Sequence, residues 1–346
     1  MLYFYIFITS VLLSFILTLT IRRVALFFKV QDVPSERRKK HSKPIPLLGG
    51  VAPFLAFFSV IFALFCFSPL LPLYKGELEG VSGLFKPIFW LFIASTIIIV
   101  GGFFDDKWRL KPKFQIIWPI LAILVVLYGG IRADVLTNPL GGVIQLGFWA
   151  SLGISFFWLL MVTYTTKILD GLDGLVSGIV PLGALTIFLF TTLTDFKEAG
   201  LSYIALVLAG VFIGFLFLNF YPAKIFLGEG GSLWAGFILG SLAILTGAKI
   251  AVTLMVLALP FIDLGVVVLR RIFIQKKSPF IGDRGHLHFI LVDRGWRPQN
   301  VVFLFWGLAG LMGIVSVFLP SVVKIIVLGV ILFVYFWTEL FFFTRK

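Results

Sequence analysis

The sequence predicts an all-α integral membrane protein, a single polytopic domain over residues 1–346 with about eleven transmembrane helices. Three observations carry this. Hydrophobic residues make up 60% of the chain and charged ones 13%, with a mean hydropathy of +1.09, whereas a soluble domain of this length needs far more polar surface. Apolar runs of about 18 or more residues recur from end to end. Lys and Arg gather in alternate loops.

The expected spans run over residues 2–28, 48–73, 87–104, 114–130, 147–166, 175–193, 200–220, 231–247, 249–270, 300–319 and 321–343. The first has no charged leader and no small-residue cleavage site before Arg22-Arg23, so it reads as a retained helix and not a removed signal peptide. The second holds the one cysteine, Cys66, which carries no metal or disulfide logic. The third ends at Asp105-Asp106; the fourth is short and contains Pro119. Before the fifth, "TNPLGGVIQLG" (Thr137–Gly147) has the Asn-Pro and Gly-Gly signals of a small hairpin. The eighth and ninth are separated by almost nothing.

The loops after spans 1, 3, 5, 7 and 9, with the C-terminus, carry 23 of the 29 Lys and Arg; the other six are Lys75, Lys86, Arg132, Lys197, Lys249 and Lys324. The heavy side is read as cytoplasmic, which puts the N-terminus outside and the C-terminus inside. Much of the net charge of +13 therefore lies on one face, suited to anionic lipid or to a polyanionic substrate. Nucleic acid is not an expected partner, because no soluble basic domain exists.

Every unusual polar cluster falls on that same face. Asp105 and Asp106 are adjacent carboxylates that repel, and Lys107, Arg109, Lys111 and Lys113 are near enough in sequence to compensate. "ILDGLDGL" places Asp170 and Asp173 three residues apart, on one face if helical, with Gly171 and Gly174 allowing close approach to a ligand. Four such acids suit a hydrated divalent cation and phosphate-ester chemistry. Acids at a membrane face are costly and functional by default. In "FLGEGGS", Glu229 stands between glycines, and Gly230, Gly231 and Ser232 are expected to open a helix N-terminus that receives a phosphate. "GDRGHLHF" gives His286 and His288 beside Asp283 and Arg284, and the third histidine, His41, lies in the other basic loop.

With "RKKHSKPIPLLGG", "GFFDDKWRLKPK", "ILDGLDGLVSG", "NFYPAKIFLGEGGS" and "SPFIGDRGHLH" in this order, the sequence resembles the polyprenyl-phosphate N-acetylhexosamine-1-phosphate transferases and, more distantly, the MurNAc-pentapeptide translocase. The resemblance covers nearly the whole chain. It implies a site on the cytoplasmic loops of a bacterial inner-membrane protein, where a UDP-N-acetylhexosamine gives its sugar-1-phosphate to undecaprenyl phosphate and UMP leaves. It implies Mg²⁺ (or Mn²⁺) bridging the diphosphate, with Asp173 and Glu229 at the metal. Asp105 and Asp106 match positions tied to the lipid phosphate, Asp170 and Asp173 line the nucleotide and metal site, and Asn219 and Phe226 match uridine contacts. His286 and His288 would contact the diphosphate or sugar, and His41, Lys43, Lys111, Lys113, Lys167 and Arg284 complete the substrate-binding set. A homodimer in the lipid bilayer is also expected from the family.

The sequence departs from the family at four positions. The asparagines of its N-x-x-N-x-x-D-G-x-D-G pattern are Tyr164 and Lys167, its "GD" is "GE" at Glu229, and its third histidine is Phe289. An ammonium beside a metal would cost on the order of 4 kcal/mol for unit charges ~4 Å apart at an effective dielectric of ~20. Lys167 is therefore expected to pair with Glu229 across the site and take part of the metal's space, or to pair with Asp170 within its own turn. An alternative is a non-catalytic relative that binds polyprenyl phosphate or nucleotide sugar. A multi-span transporter is a third, disfavoured by the lack of any apparent broken helix in the sequence.

Overall fold

The computed structural model describes residues 1–32, 44–67, 83–138, 141–194, 198–247, 250–276, 278 and 284–343, apart from the side chains of residues 67 and 338–343. Helix α1 (Leu2–Phe27) leads to α2 (Val51–Phe67) past the short antiparallel strands β1 (Gln31–Asp32) and β2 (Ile45–Pro46), with Gln31 opposite Pro46. Helix α3 (Phe85–Trp108), the single turn α4 (Pro112–Gln115) and α5 (Ile117–Tyr128) follow. Strands β3 (Val135–Thr137) and β4 (Val143–Gln145) then pair antiparallel, Leu136 opposite Ile144, as the hairpin expected there. Helices α6 (Phe148–Leu169), α7 (Leu175–Leu193), α8 (Ala199–Asn219) and α9 (Gly228–Leu245) come next. After α10 (Ile250–Val256) and α11 (Ala258–Leu269), a π-helical turn covers Arg270–Ile274. The described chain ends with α12 (Leu287–Asp293), α13 (Pro298–Phe318) and α14 (Ser321–Phe343).

Among the described residues seven helices (α1, α3, α6, α7, α8, α9 and α13) are long and apolar enough to cross a membrane, or up to eight if α10 and α11 make one bent span. Shorter apolar helices lie at Val51–Cys66, Pro112–Tyr128 and Ser321–Trp337. The protein is a multi-pass helical membrane protein. The sequence predicts one unbroken helix over 249–270, whereas the structure bends it by 83° between Val256 and Ala258. Pro260 supplies the reason, since it has no N–H for the carbonyl four residues back and its ring crowds that turn.

Helices α8 and α9 form the centre. Apolar residues cover every side of α8, and a helix of that kind is stable only when wrapped by others. Trp234 of α9 stacks on Phe212 of α8 with ring centroids 5.7 Å apart. On α1, Ser10, Ser14 and Thr18 recur every four residues and are buried, and the Ser14 hydroxyl donates to the Val211 carbonyl of α8 at 2.6 Å. Small residues let helices in lipid approach to backbone contact, which replaces the hydrophobic drive absent there. Gly102 of α3 meets Gly230 of α9 so closely that a Cβ on Gly102 would fall 2.0 Å from the Gly230 Cα. The Thr166 hydroxyl of α6 donates to the Ser232 carbonyl of α9 at 2.8 Å. Exposed Leu12, Ile16, Ile325, Ile326, Phe333 and Phe336 make an apolar outer surface on α1 and α14. Around the centre, the C-terminal ends of α3, α6 and α8 meet the N-terminal end of α9, and the polar residues gather there.

Candidate active site

Helix α3 ends at Trp108, and Arg109 turns the chain with a left-handed φ of 49°. That turn brings the Leu110 N–H to Asp105 Oδ1 at 2.7 Å, and the Gln115 amide donates to both Asp105 oxygens at 3.1 Å. Asp106 accepts the Glu229 N–H at 3.0 and 3.2 Å. The start of α9 is suited to this, because its first N–H groups have no helical partner and its dipole favours an anion. The sequence set Lys107, Arg109, Lys111 and Lys113 against this acid pair. The structure instead satisfies both acids with neutral N–H donors and leaves the four cations exposed, Lys107 on the last turn of α3 and Arg109, Lys111 and Lys113 on the chain that follows it. Lys107 lies 4.8 Å over the Trp108 ring and Lys113 5.1 Å over Phe114.

Lys167 occupies the last turn of α6. Its ammonium forms an ion pair with Glu229 Oε1 and donates to Gln115 Oε1 at 3.3 Å. Gln115 therefore links Asp105 to Lys167, and Lys167 links α6 to α9. Asp170 and Asp173 do not share a helical face. Helix α6 stops at Leu169 and α7 starts at Leu175, and Gly174, with φ +81°, makes the turn between them possible. Asp173 Oδ2 accepts the Ala223 N–H at 2.9 Å. Burial first, then the Glu229 and Asp173 carboxylates, push the Asp170 carboxyl up to about 8. Asn219 is buried, and its amide tethers the same turn. Its oxygen accepts from Gly174 N at 3.2 Å and Ser177 Oγ at 2.5 Å, while its nitrogen donates to the Ile225 carbonyl at 3.0 Å. Phe226, half-buried, is held by backbone bonds to Pro46 and Gly49, both 2.9 Å.

Gly230, Gly231 and Ser232 do not open a phosphate-receiving terminus. Helix α9 already starts at Gly228, and the two glycines are packed against Gly102 and Gly50. These residues serve close packing, and the free space that a phosphate needs is absent there.

The histidine loop is anchored from below by a residue in the bent pair. Asp263 of α11 takes His286 Nδ1 at 2.7 Å on one oxygen, and the Leu287 N–H at 2.8 Å and the Tyr335 hydroxyl of α14 at 2.5 Å on the other. All three side chains are buried. His288 is fully buried, and neither ring nitrogen has a hydrogen-bond partner among the described residues. Its Nε2 is packed on the Asp170–Asp173 turn, 2.9 Å from where a Cβ on Gly171 would lie. Burial pulls the His288 imidazole down to about 4; Asp263 opposes this, while His286 and Arg284 add to it. Arg284 is half-exposed and bidentate to Asp293 at 2.9 and 2.6 Å, with its guanidinium 4.6 Å over the Phe289 ring.

The structure thus joins Asp105, Asp106, Lys167, Glu229, Asp170, Asp173 and His288 around one helix-bundle end. Lys111 and Lys113 are exposed on the chain that follows α3, and His41, Lys43 and Asp283 lie outside the described residues. Gln115, Asp263 and Tyr335 are absent from the sequence prediction. Asp263 carries a visible signal, since it is a lone acid inside an apolar span. An apolar cavity of about 600 Å³ touching Leu124, Tyr128, Arg132, Phe148 and Trp149 lies at the opposite end of α6, away from the acids.

The donor set fits poorly with a resident divalent ion. Glu229, the acid expected at such an ion, is committed to the Lys167 ammonium, and among the described residues no three His, Cys, Asp or Glu side chains are arranged to hold a metal.

Comparison with known proteins gives consistent matches. The family model described as glycosyl transferase family 4 matches residues 88–247. A Bacillus subtilis (strain 168) protein named probable undecaprenyl-phosphate N-acetylglucosaminyl 1-phosphate transferase is 31% identical over 327 residues, covering 91% of this chain and 84% of its own. The decaprenyl-phosphate N-acetylglucosaminephosphotransferase of Mycobacterium tuberculosis (strain ATCC 25618 / H37Rv) is 29% identical, covering 88% and 79%. A phospho-N-acetylmuramoyl-pentapeptide-transferase of Listeria monocytogenes serotype 4b is 30% identical, covering 83% and 88%.

Proposed function

The chain belongs to glycosyl transferase family 4, and we propose that it moves N-acetylhexosamine-1-phosphate from a UDP-sugar to undecaprenyl phosphate, releasing UMP, as the first membrane step of a cell-envelope glycan pathway. It is a membrane phosphoglycosyltransferase. The observation that carries the proposal is the meeting of the motif acids, Lys167 and a buried His288, whose ring nitrogens have no hydrogen-bond partner among the described residues, at one end of the helix bundle. None of the three relatives described above is named as a non-catalytic binder.

The chemistry asks little of the protein beyond placement and charge. A phosphate monoester is already an anion near neutral pH, so the acceptor needs no general base. Its oxygen attacks the sugar-bearing phosphorus and forms the new P–O bond. The anhydride bond to UMP breaks, and UMP keeps the electron pair. Asp105 and Asp106 are assigned to the lipid phosphate, and Asp170 and Asp173 to the nucleotide side. His288, neutral in its site, offers an N–H to a phosphoryl oxygen, and His286 and Asp263 hold its loop. Mg²⁺ or Mn²⁺ is the cofactor that family resemblance suggests, and it would neutralise diphosphate charge. The orientation has the N-terminus outside and these groups at the inner face of a bacterial plasma membrane. Eleven spans result if the seven long helices, the bent pair and the three shorter helices all cross.

The test is to incubate the purified protein with undecaprenyl phosphate and labelled UDP-GlcNAc. Label passing into a lipid diphosphate with release of UMP is expected, and Asp106→Asn or Asp173→Asn should lower kcat by about 10²-fold or more. No lipid product with any of several UDP-sugars would reject the proposal.

A further inference from the structure

Two of the departures from the family pattern are in contact. Lys167 stands where the family has an asparagine and Glu229 where it has an aspartate, on different helices, and their side chains form one ion pair. The extra methylene of glutamate supplies reach toward the ammonium. The pair is not isolated. Gln115 takes a second Lys167 N–H and turns its own amide to Asp105, and the Glu229 N–H holds Asp106. One ammonium thus stands at the hub of the acidic residues. An ammonium has three donors. Among the described residues Glu229 and Gln115 engage two of them and no other acceptor takes the third, with the Tyr164 ring centroid 5.5 Å from the ammonium, so one N–H remains for an incoming anion.

We propose that Lys167 is a built-in cation for the diphosphate of a nucleoside-diphosphate sugar, and that Glu229 holds it in place until the diphosphate arrives. This rests on the transferase reading for the identity of the ligand. Before binding, Glu229 neutralises the lysine inside a low-dielectric site. On binding, a phosphoryl oxygen takes the remaining N–H, and the ammonium offsets part of the diphosphate charge that a divalent ion would otherwise offset. An ion placed against Glu229 would have to expel Lys167 or stand beside it.

The test uses the full chain in detergent with UDP as the probe, followed by calorimetry. Wild-type protein should bind UDP with EDTA present to within about threefold of its affinity with Mg²⁺. Lys167→Gln should weaken UDP binding by about tenfold or more. The double variant Lys167→Asn with Glu229→Asp should bind UDP only with Mg²⁺, and a wild-type-like melting curve shows that it is folded. UDP binding that EDTA abolishes in the wild type overturns the proposal, as does an unchanged affinity in Lys167→Gln. The transfer assay on the same samples separates the two ideas. UDP bound without metal but no lipid product would sink the transferase reading and leave the built-in cation standing. Product formed only with Mg²⁺ would sink the built-in cation and leave the transferase.

Discussion

His288 shows how far one side chain can be pushed by its place. It is fully buried, and burial holds its imidazole near 4, well below the 6.5 of the exposed ring. The unfolded chain therefore takes up a proton first as pH falls, and the folded chain follows only near 4. Stability is constant above about 6.5 and declines between there and 4, by up to about 3 kcal/mol for this group alone. Asp263, His286 and Arg284 act on the ring electrostatically, so the comparison must isolate His288. His288→Phe should flatten the fall in melting temperature between about pH 7.5 and about pH 5 in detergent. An equal fall in both proteins would show that the ring takes its proton in the folded state.

At the level of elements, helix α9 sets the site because its glycines admit its neighbours. A methyl group at position 102 would collide with the Gly230 backbone, which cannot move aside as a flexible side-chain end could. Gly102→Ala should therefore cost about 1–3 kcal/mol of stability by overpacking. It should also lower kcat, because Asp105 and Asp106 ride on α3 while Glu229 and its N–H ride on α9. A variant with unchanged melting temperature and unchanged kcat would refute this coupling. The same elements show what a sequence can and cannot reveal. Apolar runs and the alternation of Lys and Arg locate the helices, because lipid demands them locally. Motif acids are visible because polar groups are rare in such a chain. The fate of Gly230 and Gly231 was not visible, since a glycine pair reads equally as a ligand loop or as a helix contact. Gln115 was hidden because its partners, Asp105 and Lys167, lie on two other elements. The break beside Pro260 was masked by the continuous apolar composition around it.

At the scale of the whole molecule, the sorting of polar groups bears on the orientation proposed for the chain in the membrane. The acids, Lys167 and the histidine loop share one end of the bundle, while the β3–β4 hairpin and Arg132 lie past the start of α6, one helix length away. The proposed use of a soluble nucleotide sugar asks for that first end in the cytoplasm, and the excess of Lys and Arg expected on the same side argues for the same orientation. The orientation can be read by cysteine labelling after Cys66→Ser removes the single native thiol. Lys111 and Thr137 are apt positions, one exposed next to the acid pair and the other in the hairpin. In intact cells a membrane-impermeant maleimide should label Thr137→Cys, and it should reach Lys111→Cys only after the membrane is opened. The reverse pattern would put the acids outside, where no cytoplasmic nucleotide sugar could meet them, and the transferase assignment would have to be abandoned along with the orientation.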